Sequence, residues 1–364
     1  MNSSGNELFM TRANNYISES QRKALGAVRI PARAIVFAKV GAAVFKERKR
    51  ILAQDSCIDN NMAAFIVDER QLDVRFAHYL LTAFKLSDLV AVGALPSLNG
   101  GQLRSIPMLV PPRLSDQRRI AAALTDADDL IATLERLITK KQAIKQGMMQ
   151  QLLTGRARLP GFADPWVELS LGEVAQFSKG MGLPKSSIRP GGHLSCIHYG
   201  ELFTHYGPEI HTVTSRTDDS SLRVRSADND VLMPTSDVTP RGLAKASALR
   251  ASGVALGGDI LVIRPDRSRI FGPFLAHAIR RDANQVLQLV RGSTVYHLYA
   301  ADMKTFRLTV PTIDEQNAIA GVFRDADAEI AALHVRLDKA RALKTGMMQQ
   351  LLTGRVRLPE GAAS

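Results

Sequence analysis

The stretch GMMQQLLTGRARL, from Gly147 to Leu159, recurs with one substitution as GMMQQLLTGRVRL from Gly346 to Leu358. The offset between the copies, 346 − 147, is 199 residues. This period is far longer than that of solenoid repeats, so the pattern indicates duplication of a whole domain together with a helix. The same offset pairs further residues of the two halves: Pro112 with Pro311, Gln117 with Gln316, Ile120 with Ile319, and 126–128 with 325–327.

Each copy is preceded by apolar residues at the alternating three- and four-residue spacing of a coiled-coil seam. The first seam consists of Ile120, Leu124, Ala127, Ile131, Leu134, Ile138, Lys141, Lys145, Met148 and Leu152. The second consists of Ile319, Phe323, Ala326, Ile330, Leu333, Leu337, Ala340, Lys344, Met347 and Leu351. A helix of roughly forty residues is about 60 Å long, more than one small domain covers. We therefore predict two long helices whose seams cover each other, with Ser115 and Asp314 as N-caps and Gly155 and Gly354 at the ends.

The segments between the helices carry mixed signals. The β-branched runs 259–266 and 63–68 predict strands, and helix-like segments follow around Phe274 and Phe76. Each half is therefore predicted to be α/β or α+β. The second half opens near Trp166, whose counterpart would fall at 166 − 199 = −33. We expect the first domain to lack its opening strands, through a late start or a natural truncation.

The chain is basic: 47 Lys and Arg against 35 Asp and Glu leave a net charge of +12. Such an excess suits a polyanionic partner, although a solvated basic surface would look the same. The two cysteines, Cys57 and Cys196, have no disulfide or metal-ligand spacing. Without a signal-peptide pattern or a long apolar stretch, we expect a cytoplasmic protein that enters no membrane.

Motifs of the common enzyme classes are missing from the sequence. It contains no GxGxxG, no GxxxxGK[ST], no HExxH and no nucleophile elbow. We therefore expect no catalytic residues, no cofactor and no metal.

The two long-helix motifs, the opening WVELSLGEVAQFSKG and the stretch CIHYGELFTHYG together resemble the specificity subunit of type I restriction-modification systems. The resemblance implies two target-recognition domains, each reading half of a split site in double-stranded DNA. It also implies that two methyltransferase subunits dock on the helices and that restriction subunits join. The predicted fold class is α+β: two α/β target-recognition domains separated by two long helices that form an antiparallel coiled coil, with a pseudo-two-fold internal repeat. The predicted boundaries are 1–111 for the first, incomplete recognition domain, 112–158 for the first helical spacer, 165–310 for the second recognition domain and 311–358 for the second spacer.

The candidate site residues fall into two groups. Polar loops of the second half offer hydroxyl, guanidinium and ammonium groups for bases or phosphates, to which the resemblance adds four residues. The candidates there are Thr235, Ser236, Thr239, Arg241, Lys245, Arg291, Ser293, Thr294, Tyr296 and His297, with Lys179, Lys185, His198 and Tyr199 from the resemblance. In the first half the candidate phosphate contacts are Lys39, Lys46, Arg48, Lys49 and Arg50. The resemblance assigns subunit docking, with helix packing as the alternative, to Gln117, Asp126, Met148, Leu152, Arg156, Gln316, Asp325, Met347, Leu351 and Arg355.

Two other functions fit the same residues. A coiled-coil adaptor would bind protein partners through its two small domains, with incidental basic charge. An orphan specificity subunit would have no cognate methyltransferase or restriction partners.

Overall fold

The computed structural model describes residues 5–90, 96–221 and 223–359. The chain folds as two compact units. Unit 1 comprises Met1–Arg136 and His334–Ser364, and unit 2 comprises Leu137–Leu333. Two helices of 39 residues each, α4 (Leu114–Leu152) and α10 (Ile313–Leu351), begin in one unit and end in the other. None of the helices in the described part of the chain is both long and apolar enough to cross a membrane.

Unit 1 is built on a four-stranded sheet covered by a helix. Its strands are β1 (Phe9–Met10), β2 (Arg29–Ile30), β3 (Ile35–Ala38), β4 (Lys49–Leu52), β5 (Ser56–Cys57) and β6 (Met62–Phe65), and its further helices are α1 (Glu19–Ala24), α2 (Val74–Ala83) and α3 (Gly100–Arg104). The sheet order is β1-β4-β3-β6, with β1 parallel to β4 and β3 antiparallel to both neighbours. Ile35 and Ile51 of the sheet pack against Val74, Ala77 and Leu81 of α2.

Unit 2 has a larger sheet of the same design. Its strands are β7 (Val167–Ser170), β8 (Ala175–Lys179), β9 (Leu194–Ile197), β10 (Glu209–Ile210), β11 (Arg216–Thr217), β12 (Asp230–Pro234), β13 (Ser236–Asp237), β14 (Ser247–Leu249), β15 (Ala255–Leu256), β16 (Ile260–Pro265), β17 (Tyr296–His297) and β18 (Arg307–Val310). Its helices are α5 (Leu171–Val174), α6 (Glu201–Thr204), α7 (Gly272–Arg281), α8 (Ala283–Leu289) and α9 (Ala300–Met303). The main sheet has the order β10-β14-β12-β16-β8, and β7 pairs with β18. The order and strand directions of unit 1 therefore recur in unit 2 as β10-β14-β12-β16, with β8 added at the edge.

Within each unit the long helices run antiparallel, and the predicted seams are confirmed. In unit 1 Ile120 and Leu124 pack with Leu351 and Leu352. Lysines replace apolar residues at three seam positions and form ion pairs between the helices instead. These pairs are Lys344–Asp128 at 2.5 Å in unit 1, and Lys145–Asp327 at 2.5 Å and Lys141–Glu329 at 2.7 Å in unit 2. The first two pairs are related by the 199-residue offset.

A buried glutamine fixes the start of each long helix. The amide nitrogen of Gln117 donates to the Pro111 and Gln71 carbonyls at 2.7 and 3.0 Å, and its oxygen accepts from Asp73 N–H at 2.7 Å. Gln316 makes the same three bonds in unit 2, to the Pro311 and Arg269 carbonyls and from Phe271 N–H. Pro111 is thus the counterpart of Pro311, and the predicted pairing of Pro112 with Pro311 is wrong, because unit 1 has one extra residue before its helix.

The predicted glycines at the C-terminal ends of the long helices agree with the structure, whereas the predicted N-caps do not. Because the helices begin at Leu114 and Ile313, Ser115 and Asp314 lie inside the first turn and are not N-caps. Gly155 and Gly354, just beyond the last helical residues, have φ of +68° and +69°. This left-handed conformation favours glycine and ends the helix.

Candidate nucleic-acid interface and helix surfaces

In unit 2 the loop that follows β12 pairs with the loop that contains β17, and together they form one edge of the unit. Ser236 pairs with His297 and Asp237 with Tyr296 through β13 and β17. The N–H of Thr235 donates to the Asp259 carbonyl at 2.9 Å, and Leu298 N–H donates to the Thr235 carbonyl at 3.0 Å. The backbone therefore brings Ser236, Arg291, Tyr296 and His297 onto one edge. Thr235 is only 7% exposed and its hydroxyl lies 3.3 Å from the Asp259 carboxylate, so its predicted contact with DNA does not fit the structure.

Side chains on this edge orient one another. The Ser236 hydroxyl lies 3.2 Å from His297 Nδ1. Arg291 donates to the Asp302 carboxylate at 2.5 Å, which raises the pKa of the guanidinium, and its centre lies 6.0 Å from the Tyr299 ring. The ion pair with Asp302 holds the Arg291 guanidinium in one orientation. Recognition of a planar base edge requires such a fixed orientation.

The rest of the edge is exposed and chemically mixed. Lys179, at the end of β8, is exposed and forms an ion pair with Asp259 at 3.0 Å. Arg241 and Ser293 are exposed, and so are the apolar side chains of Val238 (72%) and Tyr299 (51%). Hydroxyl, imidazole and guanidinium groups suit base edges, while apolar side chains suit the thymine methyl group.

Three other candidates of unit 2 have structural partners. Lys245 donates to the Phe203 carbonyl at 2.7 Å, with its ammonium 5.9 Å from that ring. His198 Nδ1 accepts from Gly200 N–H at 3.1 Å, and Tyr199 packs against the core around Ile197 and Leu202. These contacts favour a packing role for all three. Lys185 is exposed on a short 3-10 helix, Lys185–Ser187.

Unit 1 contains the same edge with other side chains. The N–H of Lys39 donates to the Asn61 carbonyl at 2.8 Å, as Thr235 does to Asp259. Val40 pairs with Ser97, as Ser236 pairs with His297. Lys39 therefore lies at the counterpart of the unit 2 edge. Lys46 is exposed on the 3-10 helix Val44–Lys46 that follows, and Arg48 is half-buried.

Two of the predicted phosphate contacts do not fit the structure. The side chain of Lys49 is buried, and its ammonium binds Glu47 at 2.5 Å and the Phe84 carbonyl at 2.9 Å. Arg50 donates to the Lys49 carbonyl at 2.9 Å, and burial lowers its pKa. Both belong to β4, where Lys49, Ile51 and Leu52 are buried and Arg50 is half-buried. The sequence pattern could not reveal this, because a run of basic residues gives no sign of which side chains are buried.

The candidate docking residues divide by burial. Gln117, Gln316, Leu152 and Leu351 are buried, so these residues pack the helices, and Met148 and Met347 are half-buried. Four charged residues are exposed instead: Asp126, Asp325, Arg156 and Arg355. Asp126 and Asp325 occupy equivalent positions of the repeat, and so do Arg156 and Arg355.

A polar cluster that the sequence reasoning missed lies where α2 meets the coiled coil in unit 1. Tyr79 donates to Asp128 at 2.9 Å, while the Lys344 ammonium lies 5.7 Å from the tyrosine ring. Burial raises the pKa of Tyr79. In unit 2 His277 takes this position, where burial lowers its pKa to about 3 and its Nδ1 has no partner among the described residues. The described residues include no cluster of His, Cys, Asp and Glu suited to a metal ion.

Comparisons with known proteins agree with this architecture. The family model described as type I restriction modification DNA specificity domain matches residues 3–146 and 163–340. The chain is similar to a protein of Methanocaldococcus jannaschii that bears the name "Putative type I restriction enzyme MjaX specificity subunit", with 23% identity over 82% of this chain and 72% of that protein.

Two solved structures have a similar fold. A type I restriction-modification system S subunit from M. genitalium superposes with a TM-score of 0.59 and 14% identity, covering 88% of this chain and 83% of that one. A structure described as showing complex assembly and conformational transition of the type I R-M system superposes at 0.55 with 16% identity, covering 90% and 83%. With both halves matched by the family model and the fold shared with these structures, the chain belongs to the type I restriction modification DNA specificity family, with two copies of the domain.

Proposed function

We propose that this chain is the non-catalytic, cytoplasmic specificity subunit of a type I restriction-modification complex. Each unit reads one half of a bipartite site in double-stranded DNA. The long helices dock two methyltransferase subunits, and restriction subunits join that assembly. One observation carries the proposal: the same backbone edge is built twice and bears different side chains.

The difference between the two edges supports an asymmetric target. Unit 1 has Lys39, Val40 and Ser97 where unit 2 has Thr235, Ser236 and His297, of which Thr235 is buried. Equivalent backbones can approach DNA in equivalent ways, while different donors and acceptors select different bases. We therefore expect a non-palindromic DNA site whose two halves have different sequences.

Exposed charges on the long helices and just beyond their ends support docking of two copies of one partner. Asp126 and Arg156 recur as Asp325 and Arg355, all exposed. A repeated surface offers the same contacts twice, which suits two identical subunits. The adaptor alternative has no comparable support, because the family match covers both units.

The test is methylation by the complex reconstituted with the cognate methyltransferase. His297→Ala should relax one position of one half-site at a cost of about 1 to 3 kcal/mol, and leave the other half unchanged. The exposed His193→Ala variant is the control. Methylated sites are read by sequencing, and a His297 variant that keeps full preference at every position would contradict the assignment of this edge.

A further inference from the structure

In unit 2 a half-buried carboxylate lies beside an exposed arginine. Asp302, in the first turn of α9, accepts a hydrogen bond from Nη2 of Arg291 at 2.5 Å. The Arg291 side chain is 69% exposed, whereas that of Asp302 is only 16% exposed. The guanidinium is therefore the part of this ion pair that a ligand can reach.

The backbone on both sides of the pair is fixed. The N–H of Arg291 donates to the His297 carbonyl at 2.9 Å, and His297 N–H donates to the Arg291 carbonyl at 2.7 Å. Asp302 precedes Met303, whose side chain is buried in the main core of unit 2. The Thr305 hydroxyl donates to the Asp302 carbonyl at 2.7 Å. Because neither backbone can shift without breaking such contacts, the two side chains meet at a defined place.

Most of the donors of Arg291 remain available. A guanidinium carries five N–H donors in one plane. Among the described residues, Asp302 is the hydrogen-bond partner of Nη2, and Nε and Nη1 have none. The guanidinium carbon lies 6.0 Å from the centre of the Tyr299 ring, within reach of cation–π attraction. The arginine is thus restrained by a carboxylate and a ring while two of its nitrogens are unpaired.

The corresponding helix of unit 1 has no carboxylate at this position. The N-caps Asn99 and Tyr299 align α3 of unit 1 with α9 of unit 2. Gln102 therefore occupies the position of Asp302, and its amide donates to a backbone carbonyl. Since the helix forms with a neutral side chain there, the fold does not require the charge of Asp302. The ion pair with Arg291 accounts for it instead.

This ion pair suits recognition of a base edge better than contact with a phosphate. A phosphate contact depends on net positive charge, which the carboxylate of Asp302 offsets. Recognition of a base edge depends on the direction of two N–H bonds, which the carboxylate fixes. Guanine presents two acceptors, O6 and N7, side by side in the major groove, whereas adenine presents one acceptor and one donor. Guanine is therefore the base that matches two adjacent N–H donors.

We propose that Arg291 reads one guanine in the half-site of unit 2, and that Asp302 is the positioning residue that fixes the orientation of its guanidinium. The arginine donates two parallel N–H bonds to O6 and N7, and Asp302 contacts the arginine without contacting the base. The proposal rests on the function proposed above, in which unit 2 reads one half of a DNA site.

The experiment selects double-stranded DNA from a randomised pool with the full chain, alone and in complex with its methyltransferase. We expect one guanine of the enriched motif to lose its preference by about tenfold or more in Arg291→Ala, and by less in Asp302→Ala. The other positions of that half-site and the whole of the other half-site should keep their preferences. Glu168→Ala, which breaks the exposed pair of Glu168 with Arg307 in the same unit, is the matched control and should relax no position.

Two further measurements separate positioning from a structural role. Adding Asp302→Ala to Arg291→Ala should not lower the guanine preference further, because Asp302 acts through the arginine. Replacing that guanine by 7-deazaguanine, which lacks the N7 acceptor, should weaken binding of the unmodified chain about fivefold or more, and should not affect Arg291→Ala. Circular dichroism checks that each variant is folded. The base replacement still decides the matter with the unmodified chain if a variant does not fold.

Three results would contradict the proposal. A motif in which no guanine depends on Arg291 would overturn it, and so would a loss of affinity spread evenly over all sequences, which indicates a phosphate contact. An Asp302→Ala variant with full preference would remove the positioning role. Failure of the proposed function looks different. A complex that methylates no bipartite site, while the selected DNA keeps the guanine that depends on Arg291, contradicts that function and supports this inference.

Discussion

Single side chains decide how the helices are anchored and where DNA can be read. Gln117 and Gln316 were expected to dock partners or to pack helices, and their burial assigns them to packing. Lys49 was expected to contact phosphate, and its burial excludes it. In both cases the deciding quantity is the direction of one side chain, which a residue type does not reveal. The other candidate DNA contacts remain predictions.

Replacing Gln316 by Leu should destabilise unit 2. The change leaves two carbonyls and one N–H without their buried partner, and each unsatisfied group costs about 1 to 3 kcal/mol. We expect the free energy of unfolding in urea to fall by roughly 2 to 5 kcal/mol. Gln146→Leu, at an exposed position of α4, should have little effect, and equal losses in the two variants would refute the anchor role.

His277 should make stability depend on pH. Its folded pKa of about 3 lies below the ordinary value of 6.5, so unfolding takes up a proton between these values. Stability is therefore present above about pH 6.5 and falls as the pH drops towards 3, by up to about 1.4 kcal/mol per unit. His277→Phe should have a flatter slope between pH 4 and 6.5 in urea titrations. An unchanged slope would show that this histidine does not control the pH dependence.

At the scale of elements, the repeat made the long helices predictable. The fold class and the paired helices are confirmed, strand β16 lies within the predicted run 259–266, and strand β6 overlaps the predicted run 63–68 but begins one residue earlier. Short strands such as β13 and β17 were not predicted, because two-residue pairings between distant loops leave no periodic pattern. The exposed edge that the β13 and β17 loops form in unit 2 depends on those pairings, so its shape could not be derived from the sequence.

The repeated ion pairs offer a test of the antiparallel register. Lys344→Asp places two carboxylates together and should destabilise unit 1 by about 1 to 2 kcal/mol, because the half-buried pair is replaced by repulsion. Adding Asp128→Lys restores opposite charges and should recover part of the loss, because the change also removes the acceptor of the Tyr79 hydroxyl. Thermal unfolding of the single and double variants provides the measurement, and additive losses would mean that the residues do not interact.

At the scale of the whole molecule, the net charge of +12 predicts steep dependence of DNA affinity on salt, since each phosphate neutralised releases a counterion. Lys39→Ala with Lys46→Ala should weaken binding to all sequences and lower the slope of log K against log salt by about 1 to 2. Lys49→Met, checked for native structure, should keep the slope, because that ammonium is buried. An unchanged slope in the double variant would remove both lysines from the interface.

Unit 1 is assembled from two segments that lie far apart in the sequence, and this constrains when it can fold during synthesis. Its core joins Phe76 and Ile120 to Leu351 and Leu352, which are made more than two hundred residues later. Synthesis must therefore reach residue 352 before the unit 1 core can close, while unit 2 is already entirely synthesised once residue 333 has emerged. The nascent first domain must wait with apolar surface uncovered, within reach of chaperones and proteases. A stop codon near residue 340 would thus remove Leu351 and Leu352, and the damage would fall on the core around Phe76 and Ile120, more than two hundred residues earlier in the sequence.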